Sequence, residues 1–355
     1  MIDEKYYGIE KENITSTDFW TNRLYNTAYE IVKDRRFPIV IPSYNRPENL
    51  FLKWVDSSFT DETWPIYIVV RKSQVEIYEA SKYVVGKDYI KIVGIEDSYI
   101  DDIGKVRKAI VEHFSDSNKC VFMFDDDITK FSYTAPYTRD SGAKISMSVD
   151  VKSPARVFAM WQLAMEKAIE IRDDLIVSCA MIAGFNWVDT FCDEEESLRY
   201  MSGPQTLAVC INLDAFKKFN INYRTLKGNG HDDIDLLIRA LLKGATTAEF
   251  RWISYNSPGI GTDILDFDSV DARFTQQYNE MYAHFSDINF VKWKHAKHDN
   301  VGINWKKAID YHNNNFENKV GEVENKEEEQ SLFLFDIAPT TSTKRIYNLV
   351  KELNI

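Results

Sequence analysis

Three consecutive aspartates, Asp125, Asp126 and Asp127, are the residues whose type and spacing point most directly to chemistry. Adjacent carboxylates repel one another, so something must offset their negative charge. Solvent does so if the triplet is a surface turn, whereas a divalent cation does so if the carboxylates converge at the edge of a sheet. The second alternative predicts an enzyme that handles phosphates, because Mg²⁺ and Mn²⁺ combine carboxylate ligands with substrate phosphates.

A second acidic pair and a basic stretch add further candidates. Asp232 and Asp233 follow a glycine-rich turn at 227–230 and precede an apolar pattern with helical spacing. Either carboxylate could be a general base, and either could instead cap the helix. His295 and His298 lie in a basic stretch and are candidates for a third metal ligand, with a solvated surface segment as the alternative.

The elements that must position these residues form a regular rhythm between residues 37 and 124. Short apolar runs alternate with helical patterns, which indicates parallel βαβ units with helices on both faces of a sheet. Such sheets bind ligands beyond the carboxyl ends of their strands, which is where the triplet falls. The predicted strands are 37–41, 66–70, 90–93 and 121–124, and the predicted helices are 47–55, 73–83 and 103–114.

Polar side chains also follow the other predicted strands. The first strand runs into a turn that suits an anionic or nucleotide ligand at a helix N-terminus, and its tyrosine could stack on a base. An ordinary capping turn uses the same residue types. In the third predicted helix, a glycine near the start permits close approach of the backbone to a ligand, and an arginine lies one turn further along. An ordinary capped helix start with a solvated arginine would explain the same residues. These candidates are Pro42, Ser43, Tyr44, Arg46, Arg71, Gly104 and Arg107.

The second half of the sequence is less regular. We expect a loop at 131–150, helices at 154–171 and 214–219, and strands at 175–180, 206–211 and 248–253. The domain prediction is an N-terminal helical extension at 1–36, one domain at 37–316 with halves at 37–130 and 131–316, and an acidic linker with a C-terminal helix at 317–355.

Composition sets outer limits on function. The net charge of −12 argues against a protein that coats nucleic acid, but it leaves a local basic groove open. Four cysteines without a CxxC pair predict reduced thiols in a cytosolic protein. No apolar run reaches the roughly 18 residues that a membrane span needs, and the start of the chain lacks the apolar core of a signal peptide.

The order of these features resembles the GT-A class of nucleotide-sugar glycosyltransferases. The matching segments are the turn at 41–46, the helix with Gly104 and Arg107, the strand that ends in the aspartate triplet, and the acidic segment at 231–236. The resemblance covers about residues 37–300. It implies an α/β fold with a Rossmann-like, mostly parallel sheet, helices on both faces and a less regular acceptor-side half.

Roles for individual residues follow from the resemblance. Asp125 and Asp127 would hold Mn²⁺ or Mg²⁺ on the diphosphate of a nucleotide-sugar donor, expected to be a UDP-sugar, and Asp126 would contact the ribose or the sugar. Asp232 or Asp233 would deprotonate an acceptor hydroxyl in an inverting transfer. The choice between them stays open, because His231-Asp232 stands where the family often has Glu-Asp. The donor-binding residues would be Pro42, Ser43, Tyr44, Arg46, Arg71, Gly104 and Arg107.

Within this class the chain is similar to the TET-associated glycosyltransferases, bacteriophage enzymes that decorate hydroxymethylated pyrimidines in DNA. The narrower resemblance rests on Pro-Ser-Tyr-Asn-Arg at 42–46 and Asp-Asp-Asp-Ile at 125–128. It implies a hydroxymethylated-DNA acceptor, no membrane partner and, for a phage-encoded enzyme, the host cytoplasm. A DNA acceptor needs a local basic surface. The candidates for that surface are Arg224, Lys227, Arg251, Lys292, Lys294 and Lys297.

Other classes stay open at this point. A glycosyltransferase with a polysaccharide, lipid or protein acceptor would share the motifs, as would a sugar nucleotidyltransferase. Nucleotidyltransferases usually open with a glycine-rich loop, and the loop at 42–47 contains no glycine. A non-catalytic binding module would have no need of the acidic and basic groups found here.

Overall fold

The computed structural model describes residues 5–6, 9–10, 29–48, 64–138, 144–150, 154–182, 198–200, 208–226, 231–257, 270–294, 300–318 and 320. The predicted helix at 47–55, the N-terminal extension at 1–36 and the C-terminal segment at 317–355 lie largely outside these residues. Among the helices that the structure describes, none is long and apolar enough to cross a membrane.

The described part of the chain alternates strands and helices. Its strands are β1 (Lys5–Tyr6), β2 (Ile9–Glu10), β3 (Ile39–Pro42), β4 (Ile66–Arg71), β5 (Ile90–Ile95), β6 (Cys120–Phe124), β7 (Lys130–Thr138), β8 (Lys144–Asp150), β9 (Leu175–Ile182), β10 (Leu198–Tyr200), β11 (Ala208–Asn212), β12 (Thr246–Asn256), β13 (Val291–Lys294) and β14 (Asn300–Ile303). Its α-helices are α1 (Val75–Glu79), α2 (Ile103–Phe114), α3 (Pro154–Ile171), α4 (Leu213–Lys218), α5 (Asp232–Leu242), α6 (Val270–Phe285) and α7 (Trp305–Asn315).

One central sheet organises these elements. Its strand order is β5-β4-β3-β6-β11-β9-β12-β7-β8, and β10 pairs with β12. Strands β5, β4, β3 and β6 are all parallel, and so are β9 and β12. Strand β11 runs antiparallel between β6 and β9. The predicted α/β class with a mostly parallel sheet is confirmed.

Two hydrophobic cores lie on opposite faces of the sheet. Along β3, Ile39 and Ile41 pack into one core while Val40 packs into the other. Helix α3 contributes Phe158 to the first core, and α2 contributes Ile110 to the second. Because helices cover both faces, the strands read as continuous apolar runs in the sequence.

The predicted loop at 131–150 is wrong. Strands β7 and β8 form an antiparallel hairpin there, paired from Ser132 with Asp150 to Thr138 with Lys144. Polar residues alternate with apolar ones in β8, which is the pattern of a half-buried strand. Pro136 is tolerated in β7 because the β12 pairing covers only the first residues of the strand, so proline's missing N–H disrupts no ladder on that side.

Gly244 follows the end of α5, and the ring of Phe316, the residue after α7, lies next to it. Its φ of 78° lies in the left-handed region, and a Cβ there would lie 2.5–2.9 Å from ring atoms of Phe316. Gly86 has a similar φ of 79° but open space around the Cβ position. Alanine substitutions at Gly86 and Gly244 therefore separate the cost of backbone strain from the cost of displacing Phe316.

We expect Gly86→Ala to lower the free energy of unfolding by about 1–2 kcal/mol through backbone strain alone. Gly244→Ala should add about 1–3 kcal/mol to that loss, because the new methyl group displaces Phe316. Urea denaturation of both variants measures the difference. Equal losses would contradict the packing of Phe316 on Gly244.

Candidate active site

Arg107 joins the aspartate triplet to the acidic helix. It lies in the second turn of α2, and its guanidinium is buried. Its Nη2 donates to both carboxylate oxygens of Asp125, at 2.9 and 3.1 Å, and its Nη1 donates to Asp232 Oδ2 at 2.7 Å. Because Asp125 follows β6 and Asp232 begins α5, one side chain connects the end of the central strand to the start of the candidate base helix.

Burial and charge compete in this cluster. Burial would lower the pKa of Arg107, but Asp232 and Asp125 outweigh it and raise that pKa well above its usual value. Burial raises the pKa of Asp125, while the neighbouring guanidinium opposes the rise. The arginine therefore stays charged and compensates carboxylates that would otherwise be buried without a partner.

Asp126 has a separate set of partners in the turn that follows β3. Ser43 Oγ donates to its Oδ2 at 2.6 Å, and Arg46 Nη1 donates to its Oδ1 at 3.0 Å. Burial raises the pKa of Asp126 to about 6, against the lowering effects of Ser43 and Arg46. Its carboxylate is thus mainly ionised at neutral pH and can accept hydrogen bonds from hydroxyl groups.

Asp127 is the member of the triplet that suits a cation. Ser257 Oγ donates to its Oδ2 at 2.9 Å, whereas its Oδ1 is buried and has no hydrogen-bond partner among the described residues. A buried carboxylate oxygen without a partner is costly, and a hard divalent cation would satisfy it. The residues present therefore fit Mg²⁺ or Mn²⁺ at Asp127.

Further protein ligands for that cation are few within the described ranges. No group of three His, Cys, Asp or Glu side chains that could hold a metal occurs there. The two histidines predicted as ligands, His295 and His298, lie outside the described residues. Since Mg²⁺ is commonly bound by one or two carboxylates plus substrate phosphates, donor phosphates would have to supply the remaining ligands.

The two aspartates at the start of α5 differ in environment. Asp232 is buried and paired with Arg107. Asp233 is partly exposed, and its Oδ1 accepts a hydrogen bond from the Ile234 backbone N–H at 2.8 Å. Burial, followed by repulsion from Asp232, raises the pKa of Asp233 to about 7. A carboxyl group with a pKa near the working pH is suited to accept a proton.

The remaining predicted donor-site residues lie at the ends of β3 and β4. Pro42 is the last residue of β3, and Arg71 is the last residue of β4. The guanidinium carbon of Arg71 lies 4.2 Å from the centroid of the Tyr44 ring, and its Nη1 donates to the Tyr44 hydroxyl at 3.2 Å. The structure thus brings the predicted turn and the second strand end together through a cation–π contact.

Gly104 has a packing role in the structure. A Cβ at this position would overlap the backbone carbonyl of Arg224, so glycine allows α2 to approach that segment closely. Arg224 in turn forms an ion pair with Asp235 of α5, which Arg239 also contacts at 2.6 Å. The glycine therefore supports the placement of α5, and a contact with the donor stays a prediction.

The predicted basic surface for DNA is only partly described. Arg224 is engaged by Asp235, and Lys292 is exposed on β13. For the other four candidates, the side chains lie outside the described part of the structure: Lys227, Arg251, Lys294 and Lys297.

Three side chains at the site were not identified from the sequence. Tyr78 is buried, with its hydroxyl 2.7 Å from Ser43 Oγ, and Ser257 holds Asp127 from 130 positions away. Tyr223 is buried with its ring centroid 5.9 Å from the guanidinium carbon of Arg107. No local motif marks residues whose partners are so distant, and an isolated tyrosine in an apolar pattern reads as core.

A mostly parallel sheet whose central strand ends in an acidic triplet beside a second acidic helix is the arrangement expected of a GT-A glycosyltransferase. The family model described as TET-Associated Glycosyltransferase matches residues 37–259, and the chain belongs to that family. It is therefore a glycosyltransferase. This decides against the nucleotidyltransferase and against the non-catalytic module.

Two solved structures show distant likenesses. Glucosyl-3-phosphoglycerate synthase from Mycobacterium tuberculosis, in complex with Mn²⁺, UDP and glucosyl-3-phosphoglycerate, is 11% identical, with a TM-score of 0.42 over 80% of this chain and 90% of that one. A structure described as a mycobacterial protein is 9% identical, with a TM-score of 0.42 over 80% and 87%. Nothing about this chain's ligands follows from either. A search of curated protein sequences found no match.

Arg107→Met should lower the free energy of unfolding at pH 7.5 by about 3–5 kcal/mol, because it leaves the buried Asp232 and the partly buried Asp125 without their cation. The deficit should shrink at pH 5. Burial already raises the pKa of Asp125, and a raised carboxyl pKa means stability that is lost as the pH rises. Urea denaturation at both pH values measures the change.

Arg35→Met is the matched control for that variant. Arg35 donates to both oxygens of Glu166, at 3.2 and 2.9 Å, but this arginine is exposed. Its loss should cost less than about 1 kcal/mol. Similar losses in the two variants, or a deficit for Arg107→Met that does not depend on pH, would contradict a buried charge cluster.

Proposed function

We propose that this glycosyltransferase moves a sugar from a nucleotide-sugar donor, expected to be a UDP-sugar, to the hydroxyl of a hydroxymethylated pyrimidine in DNA, with inversion. One observation carries the proposal. The guanidinium of Arg107 holds the donor-side Asp125 and the base-side Asp232 together. A diphosphate and an acceptor hydroxyl bound on the two sides of Arg107 would lie next to each other.

The donor diphosphate is assigned to the carboxyl edge of the parallel strands. Asp127 supplies the buried oxygen that would hold Mg²⁺ or Mn²⁺, and the cation would neutralise charge on the departing nucleoside diphosphate. Asp125 was expected to share that role, but Arg107 engages both of its oxygens. We therefore assign Asp127 as the main ligand and Asp125 as the residue that fixes Arg107 beside the diphosphate.

Asp126 is assigned to a hydroxyl group of the ribose or the transferred sugar. Its two oxygens are oriented by Ser43 and Arg46, and with a pKa of about 6 it is mainly ionised at neutral pH. An ionised carboxylate held by fixed donors accepts hydroxyl hydrogen bonds with little reorganisation. The three aspartates thereby have separate roles: Asp125 anchors Arg107, Asp126 accepts from a hydroxyl group, and Asp127 binds the cation.

Asp233 is the proposed general base. Its pKa of about 7 lets it take the acceptor's hydroxyl proton at neutral pH, while Asp232 is engaged in the ion pair with Arg107. The acceptor oxygen then bonds to the anomeric carbon as the bond to the diphosphate oxygen breaks. A single displacement of this kind inverts the configuration at that carbon.

The acceptor assignment is supported by the family match. The family that contains this chain is described as TET-associated, and the resemblance to that family implies a hydroxymethylated pyrimidine in DNA as the acceptor. The net charge of −12 means that DNA contact has to be local. The exposed Lys292 is the described residue that could contribute to it.

Donor and cation binding can be tested by thermal shift with Mn²⁺ and a panel of UDP-, GDP-, TDP- and CMP-sugars. We expect one donor to raise the Tm, and Asp127→Asn to remove the part of that rise that depends on Mn²⁺. Asp88→Asn, at an exposed aspartate, is the control and should behave like the parent. Stabilisation that persists unchanged in EDTA would contradict a cation at Asp127, and no stabilisation by any donor would overturn the proposed function.

Catalysis can be tested by the mass gain of hydroxymethylated oligonucleotides, with unmodified DNA as the negative control. Asp233→Asn should lower kcat by about 10²–10⁴-fold, the usual contribution of a general base, without lowering the Tm. In the parent, kcat/KM should rise tenfold per pH unit up to about pH 7, because the base must be deprotonated.

Asp232→Asn is the matched comparison. It should lower the Tm, because Arg107 loses a partner. It should keep an acidic limb in the pH profile but shift that limb to lower pH, because repulsion from Asp232 contributes to the raised pKa of Asp233. Loss of the acidic limb in Asp232→Asn, with the limb retained in Asp233→Asn, would reassign the base to Asp232. If neither DNA gains mass while the donor is hydrolysed slowly, the DNA acceptor is wrong and the donor assignment stands.

A further inference from the structure

Side chains from one side of α1 and its flanking residues hold the turn that follows β3. Three of them, at positions 74, 78 and 81, contact three consecutive residues of the turn. Gln74 pairs with Asn45 through its amide, Tyr78 accepts from the Arg46 backbone N–H at 3.0 Å, and Ser81 donates to the Pro47 carbonyl at 2.5 Å. Residues with this spacing lie on the same side of a helix, so α1 and its flanks form a clamp on the turn.

Tyr78 differs from the other two clamp residues because its contact continues into the candidate site. Its hydroxyl lies 2.7 Å from Ser43 Oγ, and Ser43 Oγ lies 2.6 Å from Asp126 Oδ2. Asp126 Oδ1 accepts from Arg46 Nη1, and the Arg46 backbone N–H returns to Tyr78. The four residues close a ring of hydrogen bonds.

The direction of these hydrogen bonds follows from donor counting. The Arg46 backbone N–H can only donate, so the Tyr78 oxygen accepts there. Ser43 has one hydroxyl proton, which it donates to the ionised Asp126. The Tyr78 hydroxyl must therefore donate to Ser43, and every donor in the ring is used once. Tyr78→Phe would remove the hydrogen bond that Ser43 Oγ accepts, and the Ser43 side chain would then be free to rotate away from Asp126.

We propose that Tyr78 is a positioning residue for donor binding, whose hydroxyl fixes Ser43 and, through Ser43, orients the Asp126 carboxylate toward the donor. The inference rests on the proposed function, in which Asp126 receives a donor hydroxyl. Tyr78 is buried, so it acts without touching the donor. Its effect should appear in donor affinity and leave the rate of the chemical step nearly unchanged.

The first test compares Tyr78→Phe with the parent in donor-dependent steady-state kinetics. The substitution removes two hydrogen bonds of the hydroxyl, and the loss of the one to Ser43, which continues to Asp126, should raise the donor KM about five- to tenfold, with kcat within about twofold. Ser43→Ala should raise the KM by a similar factor, and the double variant should show little further increase. An unchanged donor KM in Tyr78→Phe, or multiplicative effects in the double variant, would overturn the inference.

Ser81→Ala is the matched control for a merely structural role. It removes a clamp contact of the same turn but does not reach Asp126. It should lower the Tm about as much as Tyr78→Phe while the donor KM changes by less than about twofold. Equal KM increases in the two variants would mean that loosening the turn, and not the Ser43 connection, explains the effect.

A measurement without donor separates this inference from the proposed function. Tyr78 and Asp126 are linked in the ring only through other residues, so the Tm losses of Tyr78→Phe and Asp126→Asn should combine to less than their sum if the ring is a unit. Additive losses would overturn the inference even if a donor binds. Non-additive losses in a protein that no nucleotide sugar stabilises would overturn the proposed function and leave the ring established.

Discussion

The ion pairs of Arg107 are the interaction on which the rest of the site depends. Asp125 and Asp232 come from distant parts of the chain and meet at one buried guanidinium. Without it, the convergence of the triplet and the acidic helix would place like charges together in a poorly solvated region, at a cost of several kcal/mol. The planar fork of arginine contacts both carboxylates at once, which the single ammonium group of lysine does less well.

The sheet makes this convergence possible. Parallel strands end at the same edge, so the turn after β3, the end of β4 and the triplet after β6 become neighbours although they are far apart in sequence. Helix α2, which connects β5 to β6, carries Arg107 back to that edge. Arg107 thus joins Asp125, which follows β6, to Asp232 of α5, while the neighbouring Asp126 is held by Ser43 and Arg46 of the turn after β3.

The sequence predicts what depends on local periodicity and misses what depends on distant pairing. Helix α2 was predicted with its observed bounds, and β6 within one residue, because apolar spacing marks both. The hairpin of β7 and β8 was missed, since Pro136 and the polar residues around it resemble a loop until the partner strand is known. Likewise the triplet was evident, whereas the division of partners among its members required Arg107, Ser43 and Ser257 in three dimensions.

The acidic pair of α5 shows how position gives identical side chains different environments. The family often has Glu-Asp where this chain has His231-Asp232, and the structure places Asp232 and Asp233 side by side in the first turn of α5. Asp232 is buried against Arg107, and its charge is one cause of the raised pKa of Asp233. With the proposed roles, in which Asp232 anchors the arginine and Asp233 reacts, this chain has two adjacent acids as in the family's Glu-Asp, one position later. The chain then differs from the family by one position and by the shorter side chain of one acid, and it keeps two negatively charged residue types at the start of the helix.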